Sequence, residues 1–459
     1  MTRVVLLVRF GTNGEIGPFE AAAYEAALRL EKFEITLVSM GPERDAEKLE
    51  RLSRLGAARA ILLTDSAFAG ADTLATAKTL AAAIERLDPD FIFCGKKTLE
   101  GDTAQVGPMT AQLLKKPFFG PVMECRTESG VLFAAQRTGG EREIQKGSVL
   151  SFERIFSLRL PRLGSKTVSC ERWDRKETGL EPEACGFQGS PTRVLESFEN
   201  QSGKRKCNFL SPEEFLPLLS RKAAVKRTFE PPESEKKLRL VFSVGTAPFS
   251  FARSVGERVK TVEEAGLLEA IRTEAPDAVL FAGDDESRAL SARVAAKLDL
   301  GLCADCTGLE SDGKELLMIR PAKGGSVIAR VRSLTRPALA SVRTVQDSRE
   351  ERILCVGSGA GEEIEFLTAF AEKNGFALGG TRKAVESGVL PYEKQIGLTG
   401  KTVAPEVYLA VGVSGAVQHL AGMDRSGTVI AVNPDRHAPI FEYADYGFLM
   451  TAKDWLNSF

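Results

Sequence analysis

The sequence has no excess of charge of either sign. Its 61 lysine and arginine residues nearly balance 62 aspartate and glutamate residues, for a formal net charge of −1 at pH 7. A nucleic-acid binder needs a basic stripe, which is absent, so no nucleic-acid partner is expected. Long hydrophobic runs are also absent, since runs such as residues 4–8 are far too short to cross a bilayer. The N-terminus lacks the layout of a signal peptide. We therefore expect a cytoplasmic protein without direct membrane insertion.

Histidine is scarce, and the cysteines are scattered. Only two histidines occur, and among the eight cysteines Cys303 and Cys306 form a CxxC pair. Such a pair can bind a metal or act as a redox pair, but a zinc site needs more ligands nearby and an iron–sulfur cluster a denser cysteine run. We interpret the pair as two core thiols beside a turn. No Ser-His-Asp arrangement stands out either. No metal site and no catalytic residue are predicted.

The order of the predicted elements indicates parallel α/β sheets. In the first 120 residues short β-rich runs alternate with helical stretches, which is typical of a doubly wound sheet. The predicted strands are 4–8, 34–39, 60–63 and 91–94, and the predicted helices are 19–30, 46–55 and 73–86. Pro276-Asp277 opens a run similar to the one at Pro89-Asp90, which suggests duplicated domains, although chance similarity between two α/β units is an alternative.

The middle of the chain has a different character. It is polar and proline-rich, with a helix signal at Ser211, where a capping sequence begins. A last α/β unit starts at Ile353, with strands at 407–411 and 428–432. The predicted domains are residues 1–164, an arm and linker at 165–237, a second α/β domain at 238–348, and a Rossmann-like domain at 349–459.

Glycine-rich turns follow the strands of the last unit. Gly357 and Gly359 stand between a strand and a helix predicted to start at Glu362, where free backbone amides can bind phosphate. Such a turn is also often only structural. A second turn, at residues 412–416, precedes a helix that carries His419. Taken alone, His419 fits a histidine that is hydrogen-bonded within the fold.

Several segments together resemble a known family. Residues 381–385, 395–405, 413–423 and 433–447 resemble the FAD domain of the α subunit of electron-transfer flavoproteins, and residues 304–307, 320–325 and 341–343 resemble its first domain. Residues 20–122 and 189–192 look like the β subunit. The resemblance spans nearly the whole chain, in the order β then α. It implies duplicated doubly wound parallel-sheet domains plus a C-terminal Rossmann-like FAD-binding domain.

The resemblance also implies roles for individual residues. Arg382 would lie over the flavin rings, Thr399 near flavin N5, and His419 at the pyrimidine oxygen. The other implied FAD contacts are Gln395, Gly400, Ser414, Gly415, Ala416, Gln418, Asn433, Asp445, Gly357 and Gly359. A second nucleotide, AMP or a second FAD, would contact Gly95, Asp102, Thr103 and Gln105.

The identity of the second nucleotide stays open at this point. The motif at 101–108 looks like that of the members with two flavins, whereas the short loop between Arg9 and Phe19 argues against a second FAD. A capped helix without any ligand is a further alternative.

The implied function is electron transfer rather than catalysis on a substrate of its own. The resemblance implies FAD as cofactor, flavin dehydrogenases of the acyl-CoA type as donors, as in fatty acid β-oxidation, and a membrane quinone or iron–sulfur oxidoreductase as acceptor. One alternative is a two-FAD, NADH-oxidising, electron-bifurcating flavoprotein. Another is a non-redox adenine-nucleotide-binding protein.

Overall fold

A computed structural model describes residues 1–11, 14–98, 100–136, 140–154, 156–200, 204–220, 231–343, 350–397 and 400–459. The strands are β1 (Thr2–Val8), β2 (Phe33–Met40), β3 (Arg59–Leu63), β4 (Phe91–Gly95), β5 (Phe118–Glu128), β6 (Val131–Gln136), β7 (Glu141–Glu143), β8 (Val149–Phe152), β9 (Cys170–Trp173), β10 (Thr192–Glu199), β11 (Asn208–Phe209), β12 (Leu238–Val244), β13 (Gly256–Val262), β14 (Ala278–Phe281), β15 (Leu302–Cys306), β16 (Gly308–Ser311), β17 (Leu316–Ala322), β18 (Val327–Ser333), β19 (Ala338–Val342), β20 (Arg352–Val356), β21 (Ala377–Gly380), β22 (Val407–Val411), β23 (Thr428–Val432) and β24 (Tyr446–Phe448). The helices are α1 (Pro18–Arg29), α2 (Ala46–Ser53), α3 (Thr73–Leu87), α4 (Val106–Leu113), α5 (Arg175–Thr178), α6 (Phe215–Ser220), α7 (Phe249–Val255), α8 (Leu267–Glu274), α9 (Asp285–Leu298), α10 (Ile364–Asn374), α11 (Arg382–Glu386), α12 (Val417–Leu420) and α13 (Ala452–Leu456).

The chain divides into two compact units. The first comprises residues 1–197, 232–323 and 329–343, and the second comprises residues 198–231, 324–328 and 344–459. The three boundaries between the four predicted segments stay predictions. Among the helices that the structure describes, none is both long and apolar enough to cross a membrane.

The first unit is built on two sheets with parallel cores. One has the strand order β7-β6-β5-β8-β4-β1-β2-β3-β9, and the other has the order β13-β12-β14-β19-β15. Successive side chains of β1 point to opposite faces, so Val4 and Leu6 enter one core while Val5 and Leu7 enter the other. Most of a smaller sheet, β10-β18-β17-β16, also belongs to this unit.

The second unit has one sheet, with the order β11-β24-β23-β22-β20-β21. Its central strands β20, β22 and β23 are buried on both faces, as expected for parallel strands covered by helices. Phe215 of α6 is fully buried and contacts the rings of Phe370, Phe448 and Trp455. The predicted arm segment therefore supplies part of the core of this unit.

The predicted α/β class with duplicated parallel sheets is confirmed. The predicted elements of the first 95 residues agree with the structure to within two residues at each end. The capping sequence at Ser211 is also confirmed, because Ser211 and Glu214 form a reciprocal capping box ahead of α6. The helix predicted from Glu362 begins at Ile364 instead, after a short turn at residues 358–360.

Candidate functional site

Two glycine-rich loops meet at the carboxyl ends of β20 and β22. We call residues 357–361 and 412–416 the glycine loops. The neighbours of β20 are β21 on one side and β22 on the other, and α/β sheets bind ligands at such a change of winding direction. A Cβ atom on Gly357 would lie 2.0 Å from the carbonyl oxygen of Gly412. The backbones can approach this closely only because side chains are absent.

A third segment contributes residues 395–397 and 400–401, and Gly397 lies against α12. A Cβ on Gly397, whose φ is +139°, would lie 2.8 Å from the Gln418 carbonyl oxygen. A Cβ on Gly400 would lie 2.2 Å from the carbonyl oxygen of Gln395, whose side chain is buried. Gly415 has a φ of +87°, and its Cβ would lie 2.2 Å from the Ile440 backbone nitrogen. Glycine is therefore needed at each of these positions.

Arg382 stands at the start of α11, just after β21. The N-cap Thr381 accepts a hydrogen bond from the Ala384 N–H, and this fixes the beginning of the helix. The Arg382 Nε donates to Glu386 Oε1 at 2.8 Å. Its Nη2 is buried and has no hydrogen-bond partner among the residues that the structure describes. A buried guanidinium nitrogen without a partner is costly, so a bound group that accepts a hydrogen bond there would stabilise it.

His419 is buried, and both of its ring nitrogens contact protein atoms. Nδ1 lies 3.1 Å from the Ile396 carbonyl oxygen, and Nε2 lies 3.0 Å from the Tyr408 hydroxyl and 3.8 Å from the Cys355 sulfur. A carbonyl oxygen only accepts, so Nδ1 carries the proton and Nε2 accepts from Tyr408. Burial lowers the pKa of His419 to about 4, so the ring is neutral at neutral pH.

Asn433 and Asp445 also have partners within the protein. Asn433 Nδ2 donates to the Val413 carbonyl oxygen at 2.9 Å. Asp445 Oδ2 accepts from Arg205 and, at 2.8 Å, from the Val429 N–H. Both side chains therefore hold loops of the second unit in place.

The first unit contains a cavity of about 400 Å³ at the carboxyl ends of β1 and β4. The neighbours of β1 are β2 and β4, so the winding direction changes here as well. A Cβ on Gly95 would lie 2.8 Å from the Glu20 backbone nitrogen, so this glycine lets the start of α1 rest on the end of β4. Leu7, Met40, Leu80 and Cys94 give the cavity an apolar part.

Polar groups of the loop before α4 also line this cavity. Thr103 and Gln105 belong to the lining. Gln105 Oε1 accepts from the Thr73 hydroxyl at 2.7 Å, while its buried Nε2 has no partner in the described part of the chain. Asp102 is absent from the lining and instead forms a buried ion pair with Lys97.

Two protein-family models match the chain. The model described as "Electron transfer flavoprotein domain" matches residues 4–150 and 260–353, just over half of the chain, and the model described as "Electron transfer flavoprotein FAD-binding domain" matches residues 348–424. The chain belongs to the electron transfer flavoprotein family.

Curated relatives of both subunit types match this flavoprotein. The electron transfer flavoprotein subunit alpha of Thermoanaerobacterium thermosaccharolyticum is 33% identical over 38% of this chain and 67% of its own length. Subunit beta of the same organism is 36% identical over 41% of this chain and 77% of its own length. The caffeyl-CoA reductase-Etf complex subunit CarD of Acetobacterium woodii is 35% identical over 42% of this chain and 78% of its own length. The chain thus joins β-like and α-like parts in one polypeptide, as the sequence predicted.

The second unit of the flavoprotein has features that fit FAD. The glycine loops approach each other so closely that side chains would collide, and Arg382 supplies a cationic nitrogen that needs a partner. Ser414, Ala416 and Gln418 are exposed in or just after the second loop. Gly359 is exposed as well, whereas Gly357 is buried. Backbone amides, hydroxyls and a guanidinium are the groups that bind phosphates and flavin oxygens.

Several predicted roles in the flavoprotein stay predictions. Thr399, placed near flavin N5, lies outside the described residues. To reach the flavin pyrimidine oxygen, His419 would have to give up its hydrogen bond with Ile396 or with Tyr408. To contact the ligand, the Asp445 carboxylate would have to bind it in addition to Arg205.

Glu20 is a candidate site residue that the sequence did not predict. Glu20 lines the cavity of the first unit and is only 5% exposed. The available signal was a single acidic residue before a run of alanines, directly after Gly17-Pro18-Phe19 at a helix start. That pattern is typical of ordinary helix starts, where acidic residues are favoured by the helix dipole.

Proposed function

We propose that this flavoprotein carries electrons through one FAD held by residues 349–459, between flavin dehydrogenases of the acyl-CoA type and a membrane quinone or iron–sulfur oxidoreductase. The observation that carries the proposal is the unpartnered guanidinium nitrogen of Arg382, which follows β21, the strand paired with β20 ahead of the first glycine loop. FAD supplies the redox chemistry when bound. The name of the caffeyl-CoA reductase-Etf relative supports a partner that acts on CoA thioesters.

The residues of the second unit would have distinct roles in binding FAD. Arg382 provides positive charge, which stabilises negative charge on a reduced ring system in a site of low dielectric. Ser414, Gly415 and Gln418 line the path of the ribityl chain and pyrophosphate. Tyr408 holds His419 in one orientation.

Denaturing the purified protein and identifying the released nucleotides by chromatography tests the proposal. One FAD per chain, alone or with AMP, supports it. A colourless protein that releases no FAD contradicts it and favours the non-redox nucleotide-binding alternative.

A second candidate function is that of a two-flavin, NADH-oxidising, electron-bifurcating flavoprotein. It is favoured by the cavity in the first unit, whose volume of about 400 Å³ and unpartnered Gln105 nitrogen fit a second nucleotide. Two FAD per chain and bleaching of the visible flavin absorbance by NADH would support this candidate. One FAD with AMP, and no bleaching by NADH, would exclude it.

A further inference from the structure

Glu20 is an acidic group in a cavity that the family resemblance assigns to a nucleotide. Its carboxyl lies at the start of α1, where it accepts a hydrogen bond from its own backbone N–H. Its Oε2 is buried and has no hydrogen-bond partner among the described residues. A Cβ on Gly17 would lie 2.1 Å from that oxygen, so Gly17 leaves room for the carboxyl.

The position of Glu20 matters because helix starts attract anions. Free N–H groups and the helix dipole make a helix N-terminus a common phosphate site. At α1 the Glu20 carboxyl already occupies this place, and once it is ionised a phosphate beside it would be repelled. Glu20 Oε2 can instead accept a hydrogen bond from a ribose hydroxyl or from the amino group of a base.

Gln105 presents the complementary group to the same cavity. Its Nε2 is a donor without a protein partner among the described residues, and Gln105 is 1% exposed. It stands immediately before α4, whose N-terminus has no side-chain cap. A phosphate or another acceptor placed there would satisfy both the amide and the helix start.

We propose that Glu20 selects the ligand of the first-unit cavity by accepting a hydrogen bond from its nucleoside part, and that it excludes phosphate from the start of α1. This inference rests on the proposed second nucleotide site. The ligand class is a purine nucleoside monophosphate or a larger nucleotide that contains one. Its nucleoside part lies at Glu20 and its phosphate lies near Gln105.

Binding measurements with Glu20→Gln test this assignment. Purified FAD-containing protein, dialysed exhaustively, would be titrated by calorimetry with AMP, with adenosine and with inorganic phosphate. At a pH well above the Glu20 pKa of about 7, the carboxylate is a charged acceptor. A hydrogen bond to a charged acceptor contributes about 1.5–3 kcal/mol, so AMP and adenosine should both bind the variant roughly 10–100-fold more weakly there. Inorganic phosphate should bind the variant as tightly as the wild type, or more tightly.

The controls separate failure of the assignment from failure of the site. Glu31→Gln changes an exposed glutamate beyond the end of α1 and should leave all three titrations unchanged. Equal AMP affinity in wild type and Glu20→Gln, or tighter AMP binding in the variant, would overturn the role of Glu20 while leaving the site intact. A wild type that releases nothing but one FAD per chain on denaturation and binds neither AMP nor adenosine would overturn the second nucleotide site itself. An unchanged FAD content in every variant would show that the second unit still folds.

Discussion

Replacing Glu20 by glutamine should remove a pH-dependent loss of stability from the first unit. Burial raises the pKa of Glu20 from 4.5 to about 7, and the charge of Glu100 adds to this, while a backbone hydrogen bond and Arg9 oppose it. A carboxyl with a raised pKa stabilises the fold below its unfolded pKa, and this contribution disappears as the pH rises through the folded pKa. At about 1.4 kcal/mol per pH unit, the loss amounts to about 3 kcal/mol.

The wild type should therefore lose about 3 kcal/mol of unfolding free energy relative to Glu20→Gln as the pH rises from 4.5 to about 7. Hydrogen exchange of the α1 amides, followed by mass spectrometry, reports stability at the position of Glu20. Wild type and variant are compared at each pH, which cancels the pH dependence of the chemical exchange rate.

Glu31→Gln is the matched control, because Glu31 is an exposed glutamate two residues beyond α1. It should follow the wild-type profile at every pH. If Glu20→Gln follows that profile too, the pKa of Glu20 is not raised in the folded protein. The reasoning from the burial of its carboxyl is then refuted.

Three further predictions concern the second unit. Arg382→Ala should lower the reduction potential of the bound FAD by on the order of 60 mV in a spectroelectrochemical titration, a tenfold effect for one electron. The control Lys383→Ala, on the exposed side of α11, should leave that potential unchanged. Gly415→Ala should abolish FAD retention through its clash with the Ile440 backbone, while Gly388→Ala, with a φ of +79° but open space around it, should retain the flavin in absorbance spectra. Phe215→Ala should destabilise the second unit by about 3–5 kcal/mol in urea denaturation, because the fully buried ring fills an aromatic core, and a change below about 1 kcal/mol would contradict that packing.

The fold was predictable because local patterns of this sequence agree with its sheet order. The strand at 407–411 matches β22, and the strand at 428–432 matches β23. Both are short runs rich in valine and bounded by glycine or proline, a pattern that favours buried parallel strands over helices. The packing of Phe215 was harder to predict from the sequence. An aromatic residue in a polar segment favours packing on another part of the chain, but only the tertiary structure identifies the C-terminal core as the partner of Phe215.

The candidate site was predictable in its glycines and less so in its side chains. A glycine follows from geometry at Gly357 and Gly415, where any Cβ would collide with backbone. A side chain such as Asp102 can turn toward a ligand or toward a neighbouring lysine, and the choice depends on Lys97, whose position relative to the loop is set by the fold.

His419 and Glu20 show how burial determines chemistry that residue type leaves open. A histidine near a flavin can donate from either nitrogen or carry a positive charge, but the Ile396 carbonyl and the Tyr408 hydroxyl leave one neutral tautomer. A glutamate at a helix start is ordinarily ionised and solvated, but burial at α1 raises its pKa to about 7 and leaves Oε2 without a protein partner in the described chain. In both cases the decisive partners come from segments distant in sequence or from a cavity, so the protonation state follows from the fold and then restricts which ligand groups can bind beside it.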